Sequence, residues 1–284
     1  DKDRDPDNDQ DKPAEDLPGF DGPAVDVAVT ADPLTVQGEN IGNIFFTVNR
    51  NAENIGIDGF EGTISGGKVK GAANLVKLQD GLTGLQTNLE IRNLAYGDLQ
   101  EAFVDKSLAS GDADIIFQLE GKGLNRDQLL SSLQGRFSII AGKGRMISTA
   151  LDQWGTGLIN ALFSGRKEEE LQLNCAIVDF DINEGIGKSK TLFLDTKRVK
   201  LAGEGEFNLT NMKLDLLLTP KAKEITTLDV APSIVVKGTL SEPKFSASTL
   251  SIGRKIGGIL LGVVNPAFLI VSMTDFGVSE DHPC

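Results

Sequence analysis

Apolar residues recur one position in two along most of this chain. Residues 200–220 read KLAGEGEFNLTNMKLDLLLTP. Val199, Leu201, Phe207 and Leu209 fall on one side of an extended strand, and Lys200, Glu204, Glu206 and Asn208 on the other, because successive strand side chains face opposite ways. After a short polar turn, Met212, Leu214, Leu216 and Leu218 resume the apolar row, which predicts a β-hairpin with one apolar face. From about Val25 the same spacing passes through Val25, Val27 and Val29, then Ile44, Phe46 and Val48, then Ile55 and Ile57. Turns are expected at Asp58-Gly59, Gly66-Gly67 and Asp80-Gly81. Strands with one polar face belong to antiparallel sheets, since parallel strands buried on both sides read as continuous apolar runs.

The phrases at 60–75, 133–148 and 198–216 each read as a strand, a glycine-rich reversal and a second strand, with no fixed period. They predict a long meander in which each hairpin pairs with the next, and the 32 glycines suit its turns, bulges and curved strands. Gly-Lys stretches such as GKGRM and GGKVKG read as hairpin ends, because neither has the spacing of a phosphate-binding loop opening a helix. Three helical segments interrupt the strands. Asn125 with Gln128 forms a capping-box pattern for a helix over 125–133 that buries Leu129, Leu130 and Leu133. Residues 146–163 place Ile147, Leu151, Trp154, Leu158 and Leu162 at helical spacing. Residues 256–273 hold eighteen residues without a charge, but Asn265-Pro266 divides them, so a glycine-rich helix to about Val264 and a second apolar piece are expected to cover the open end of the sheet, the alternative being that they touch or enter a membrane.

Composition excludes several classes. With 284 residues and 40% hydrophobic content the chain can bury a substantial core, and a net charge of −13 excludes nucleic acid as a partner. Residues 1–26 hold ten acidic and three basic residues, so −7 of the −13 lies there. Residues 1–24 read as an acidic linker rather than a folded element. The chain has no initiator Met and no signal sequence, and is expected to be the C-terminal piece of a longer one. The alternating aspartates Asp3 to Asp11 suggest a calcium loop, yet counting from Asp5 the places for Gly and Glu hold Gln10 and Asp16. No metal site is expected, since neither Cys175 nor Cys284 has a partner at metal spacing and the only His is His282. In an oxidising compartment the two cysteines would form one bridge, and in the cytosol two free thiols. No nucleophile stands near a base, and Asp179, Asp181, Glu204 and Glu206 read as solvated strand positions, so no enzyme and no cofactor are expected.

Four phrases in order carry a family resemblance: GKGLNRDQLLSSLQGRFSIIAGKGRMI, LQLNCAIVDFDINEGI, LFLDTKRVKLAGEGEFNLTNMKLDLLLTP and APSIVVKGTLSEPKF, followed by the terminal Cys284. Residues 121–284 resemble the C-terminal domain of the AsmA family of Gram-negative envelope proteins, and 25–120 resemble the repeat-like portion before it. The resemblance implies a mainly β fold, a long and strongly curved antiparallel sheet bent into a trough, with a few short helices covering one end. It also implies an inner-membrane anchor upstream of this fragment, a periplasmic location, and a role in moving phospholipid toward the outer membrane and in outer-membrane assembly, similar to bridge-like lipid-transfer proteins. An oxidising periplasm favours the Cys175–Cys284 bridge.

On that reading the inward rows form a lipid groove: Ile44, Phe46 and Val48; Ile115, Phe117 and Leu119; Phe137 and Ile139; Leu201, Phe207 and Leu209; Leu214, Leu216 and Leu218; Ile234 and Val236. The predicted helices are too few to cover so many strands, and acyl chains would fill the deficit. Phospholipid is then the expected partner, with the outer membrane or one of its proteins met through 252–273. The competing expectation is a closed β-sandwich, an adhesive or scaffolding module whose apolar rows face each other and need no ligand.

Overall fold

Period-two alternation organises the chain into a single sheet. The computed structural model describes residues 16–37, 39–101, 109–147, 170–197, 199–223, 233–248 and 284. Its elements are β1 (Val25–Val36), β2 (Glu39–Arg50), β3 (Asn54–Ile64), β4 (Gly67–Lys77), β5 (Thr83–Ala95), α1 (Tyr96–Glu101), β6 (Ala109–Gly123), α2 (Arg126–Ser132), β7 (Gln134–Ile147), β8 (Glu170–Asn183), β9 (Ile186–Thr196), β10 (Val199–Asn208), β11 (Lys213–Ala222), β12 (Ser233–Thr239) and β13 (Pro243–Ser248). The thirteen strands lie in sequence order in one antiparallel sheet that does not close on itself. Among the described residues there is no second sheet facing it, so the closed sandwich is replaced by one open layer.

Sequential antiparallel order puts the connections on two rims. The lower rim carries the turns at 51–53, 78–82, 184–185, 209–212 and 240–242 together with α2; the upper rim carries the turn at Ser65 and Gly66 together with α1. Ser65 (φ 44°) with Gly66 (φ 74°), and Glu184 (φ 51°) with Gly185 (φ 71°), make two-residue turns in which both residues are left-handed. That geometry matches the right-handed twist of the flanking strands. Strand length falls from 15 residues in β6 to 6 in β13. At about 3.3 Å per residue the sheet narrows from roughly 50 Å to roughly 20 Å.

The 125–133 helix forms as its capping pattern predicts. Asn125 Oδ1 accepts from the Gln128 N–H at 3.0 Å, and Gln128 Oε1 accepts from the Leu124 N–H at 3.0 Å. α2 buries Leu129, and Leu133 beyond its end is 2% exposed. It lies over Gly121 and Gly123 of β6, where an added Cβ would come within 2.9 Å of Leu133 and 2.4 Å of Leu129. Part of the acidic stretch before β1 is held to the same rim: Asp16 bridges Asn125, and the Arg50 guanidinium donates to the carbonyls of Gly19 and Asp21.

Two expected turns are strand interior. Asp58-Gly59 is a bulge within β3, with the register shift between Ile57 and Phe60. Asp58 is engaged sideways instead, accepting from Asn49 of β2 and from Asn74 of β4. Gly142 to Gly144 likewise belong to the continuous strand β7. A Cβ on Gly144 or on Gly111 would lie 2.4 Å from the Tyr96 hydroxyl, which donates to the Ser110 carbonyl at 2.9 Å. These glycines admit a tyrosine from α1 rather than reverse the chain. Met146 and Ile147 complete β7 instead of starting a helix; the rest of 146–163, the aspartates from Asp3 to Asp11 and the 252–273 segment lie outside the described residues.

Candidate binding groove

Cross-strand partners in a sheet share a face, so the register can be followed from edge to edge. Ala31 of β1 stands opposite Ile44, Ile44 opposite Gly62, Gly62 opposite Val69, and Val69 opposite Ile91. Ile91 leads to Ile115, Ile139, Val178 and Leu192 on β6 to β9. Leu192 leads to Gly203, Leu218, Ile234 and finally Ala247 on β13. One residue from each of thirteen strands thus forms a row without a polar side chain. A second row runs from Val27 through Val48, Ile57, Leu119, Ile182, Phe207 and Leu214 to Pro243, and Thr87 is its polar member.

Fifteen of the sixteen residues expected in the groove share this face: Ile44, Phe46 and Val48 on β2, Ile115, Phe117 and Leu119 on β6, Phe137 and Ile139 on β7, Leu201 and Phe207 on β10, Leu214, Leu216 and Leu218 on β11, and Ile234 and Val236 on β12. Leu209 lies in the turn after β10, its N–H bonded to the Gly185 carbonyl, and packs against the same cluster as Phe207. Leu119, Phe207, Ile234 and Val236 are buried and the other twelve half-buried. Members that the sequence reading omits include Val178, Phe180 and Leu192. β8 reads LQLNCAIVDFDIN, apolar on both faces, so its alternation gave no signal. Ile177 and Cys175, on the opposite face from Val178, are 1% and 2% exposed.

The strip is sealed in one place and open in another. Near α2, buried Leu119, Leu133, Phe180, Ile182 and Phe207 pack together, with Leu85 of β5 and Leu214 of β11 against them. Phe180 and Phe207 come from strands separated by β9, yet their ring centroids are 5.0 Å apart. Such contact across an intervening strand requires the sheet to curl toward this face. Gly187 of β9 permits it, since a Cβ there would sit 2.2 Å from the Phe207 ring. Toward β1 the strip is open, with Val27 49% and Ile57 37% exposed.

The other face is charged over β4 to β6 and carries buried apolar side chains, Ile140 and Ile177, on β7 and β8. Lys70, Glu90, Arg92 and Asp114 form an ion ladder across β4 to β6, with contacts of 2.9, 2.7 and 2.8 Å. Hydrogen bonds from Lys70 and Arg92 hold the Glu90 carboxyl below its ordinary range, and the Asp114 carboxylate raises the Arg92 guanidinium. Asp179 departs from the expected solvated position. It is 5% exposed and accepts two bonds from Arg136, at 2.8 and 3.0 Å. A disulfide joins Cys175 to Cys284, with Cα atoms 5.6 Å apart. Among the described residues there is no cluster of three metal-ligating side chains, and no helix is long and apolar enough to cross a membrane.

One open antiparallel sheet whose concave side is a continuous apolar strip defines a β-trough protein. The chain belongs to the AsmA family, whose profile matches residues 2–192. It is similar to the AsmA family protein YhjG of Escherichia coli (strain K12), at 21% identity over 222 residues, covering 76% of this chain and 30% of that protein. The chain therefore spans less than a third of the length of that relative. No solved structure matches it. Family membership fits a bacterial envelope protein.

Proposed function

We propose that this chain is a non-enzymatic periplasmic part of an inner-membrane-anchored envelope protein, and that its apolar face carries phospholipid acyl chains toward the outer membrane. The observation that carries this reading is the row from Ala31 to Ala247, uninterrupted by a polar side chain across thirteen strands. Such a row, left partly open to water, is unfavourable unless something apolar covers it. Each methylene buried there gains about 0.8 kcal/mol, and an acyl chain is mostly methylene. Lipid tails lying along the row would place their headgroups in water beyond the rims, and sliding along it needs neither nucleotide nor chemical step. The family's connection with lipid transport in the envelope supports the same reading.

The sealed cluster beside α2 favours a second reading for that part of the sheet, a scaffold that holds the trough's shape without touching lipid. The test therefore uses exposed positions of the strip. Val27 and Ala73 lie on β1 and β4 in the second row, both open to solvent. The Val27→Asp, Ala73→Asp double variant should fold as the wild type does by circular dichroism and lose at least tenfold of the phospholipid that co-purifies and is read by native mass spectrometry. Equal lipid in variant and wild type, or none in either, overturns the groove.

A further inference from the structure

Six large hydrophobic side chains stand out as exposed among the described residues: Val27, Phe45, Ile57, Leu124, Met212 and Leu240. Val27 and Ile57 belong to the groove strip. Leu124, Met212 and Leu240 all sit on the lower rim, at 61%, 42% and 38% exposure. Single exposed apolar residues need no explanation. Met212 and Leu240 are not single, because the Leu240 N–H donates to the Met212 carbonyl at 2.8 Å and ties the tips of the β10–β11 and β12–β13 turns together. Met212 also has φ 57°, in the left-handed region where glycine or asparagine is the relaxed choice. A long apolar side chain therefore projects from a turn that local preference would give to another residue.

Charge at this end of the sheet is balanced, with acidic Glu242 in the same turn as Leu240. Residues 199–248 contain six basic and six acidic residues, against −13 for the whole chain. Lys213 follows Met212 directly, Lys244 lies on β13 and both are exposed; neither side chain has an ion-pair partner among the described residues. Lys237 between them pairs with Asp215 at 3.2 Å. Apolar tips with free ammonium groups behind them match a phospholipid surface, where the apolar side chains enter the acyl boundary and the lysines meet phosphates. The tips also continue the apolar strip, since Leu214, next but one to Met212, is a member of the second row.

We propose that the Met212 and Leu240 tips seat the β10–β13 end of the trough on a phospholipid bilayer, with Lys213 and Lys244 at the headgroups; this rests on the reading that the trough serves lipid. The site is built entirely from described residues of two turns and of β11 and β13. The test uses the whole chain and vesicles of phosphatidylethanolamine and phosphatidylglycerol at about 3:1. Wild type should co-sediment with them. The Met212→Asp, Leu240→Asp variant should lose at least tenfold in binding, and Met212→Asn, Leu240→Ser, which suits the turn, should lose it too. With Cys175 and Cys284 bridged, Met212→Cys offers one thiol for an environment-sensitive dye, whose emission should shift to the blue on adding vesicles. Wild type that does not sediment, tip variants that bind as wild type does, or a dye that does not respond each overturns the docking surface. Co-purifying lipid separates the two readings: it should be unchanged in the tip variants, and its absence from wild type would sink the groove whatever the vesicles show.

Discussion

Gly187 shows how a single missing side chain shapes the groove. The far end of the Phe207 ring lies over it, with Phe180 two strands from Phe207, and a Cβ at 187 would meet three atoms of that ring within 2.6 Å. Gly187→Ala should therefore push the ring off its seat and cost about 1–3 kcal/mol, the usual range for overpacking, measured by guanidinium unfolding. An unchanged midpoint would mean that the ring finds another place at no cost. For the same reason Phe207 is a poor probe of ligand binding, since it is 9% exposed and belongs to the sealed cluster. Alternation showed which way Phe207 points but not what lies beneath it. Asp179 was misread for a related reason: its spacing is that of a solvated position, and its partner Arg136 is 43 residues away.

Among the elements, helix α2 was legible because its cap is local. Asn125 and Gln128 carry it within four residues, and Asn125→Ala should destabilise the protein by about 1 kcal/mol. Urea unfolding would measure this, and no loss would indicate that docking over Gly121 and Gly123 alone holds the helix. The long strands were less legible. Asp58-Gly59 and Gly142 to Gly144 carry turn chemistry, yet each lies inside a strand because a distant side chain engages it. Asn49 and Asn74 reach Asp58, and Tyr96 needs the space above Gly144. Glycine marks a reversal and a close approach with the same letter, and only the partner distinguishes them. The bulge shifts the alternation of β3, putting Ile57 and Gly62 on one face, whereas the rows read on β2, β6, β7, β11 and β12 each keep to one face.

At the scale of the whole molecule, the open antiparallel sheet was predictable from strands with one polar face joined largely by short turns. The order of thirteen strands follows from hairpin adjacency alone. Distant tethering was not predictable by spacing. The Cys175–Cys284 disulfide closes a separation of 109 residues and fixes the chain terminus to β8, on the face opposite the strip. Its removal by Cys175→Ser should lower stability by about 2–4 kcal/mol, chiefly by freeing the unfolded chain. Thermal unfolding with and without a reductant would check this, since the wild type should fall to the level of the variant when reduced and the variant should not respond.

Sequential pairing also makes the molecule extensible in fixed increments. Each strand leans on its chain neighbours, and adjacent strands lie about 4.8 Å apart. A hairpin added or removed would lengthen or shorten the path by roughly 10 Å while leaving inside and outside, and both margins, as they were. Adding one strand would instead send everything after it across the sheet to the opposite margin. Descendants of such a chain are free to grow by twos, and their reach across a gap can be counted directly in hairpins.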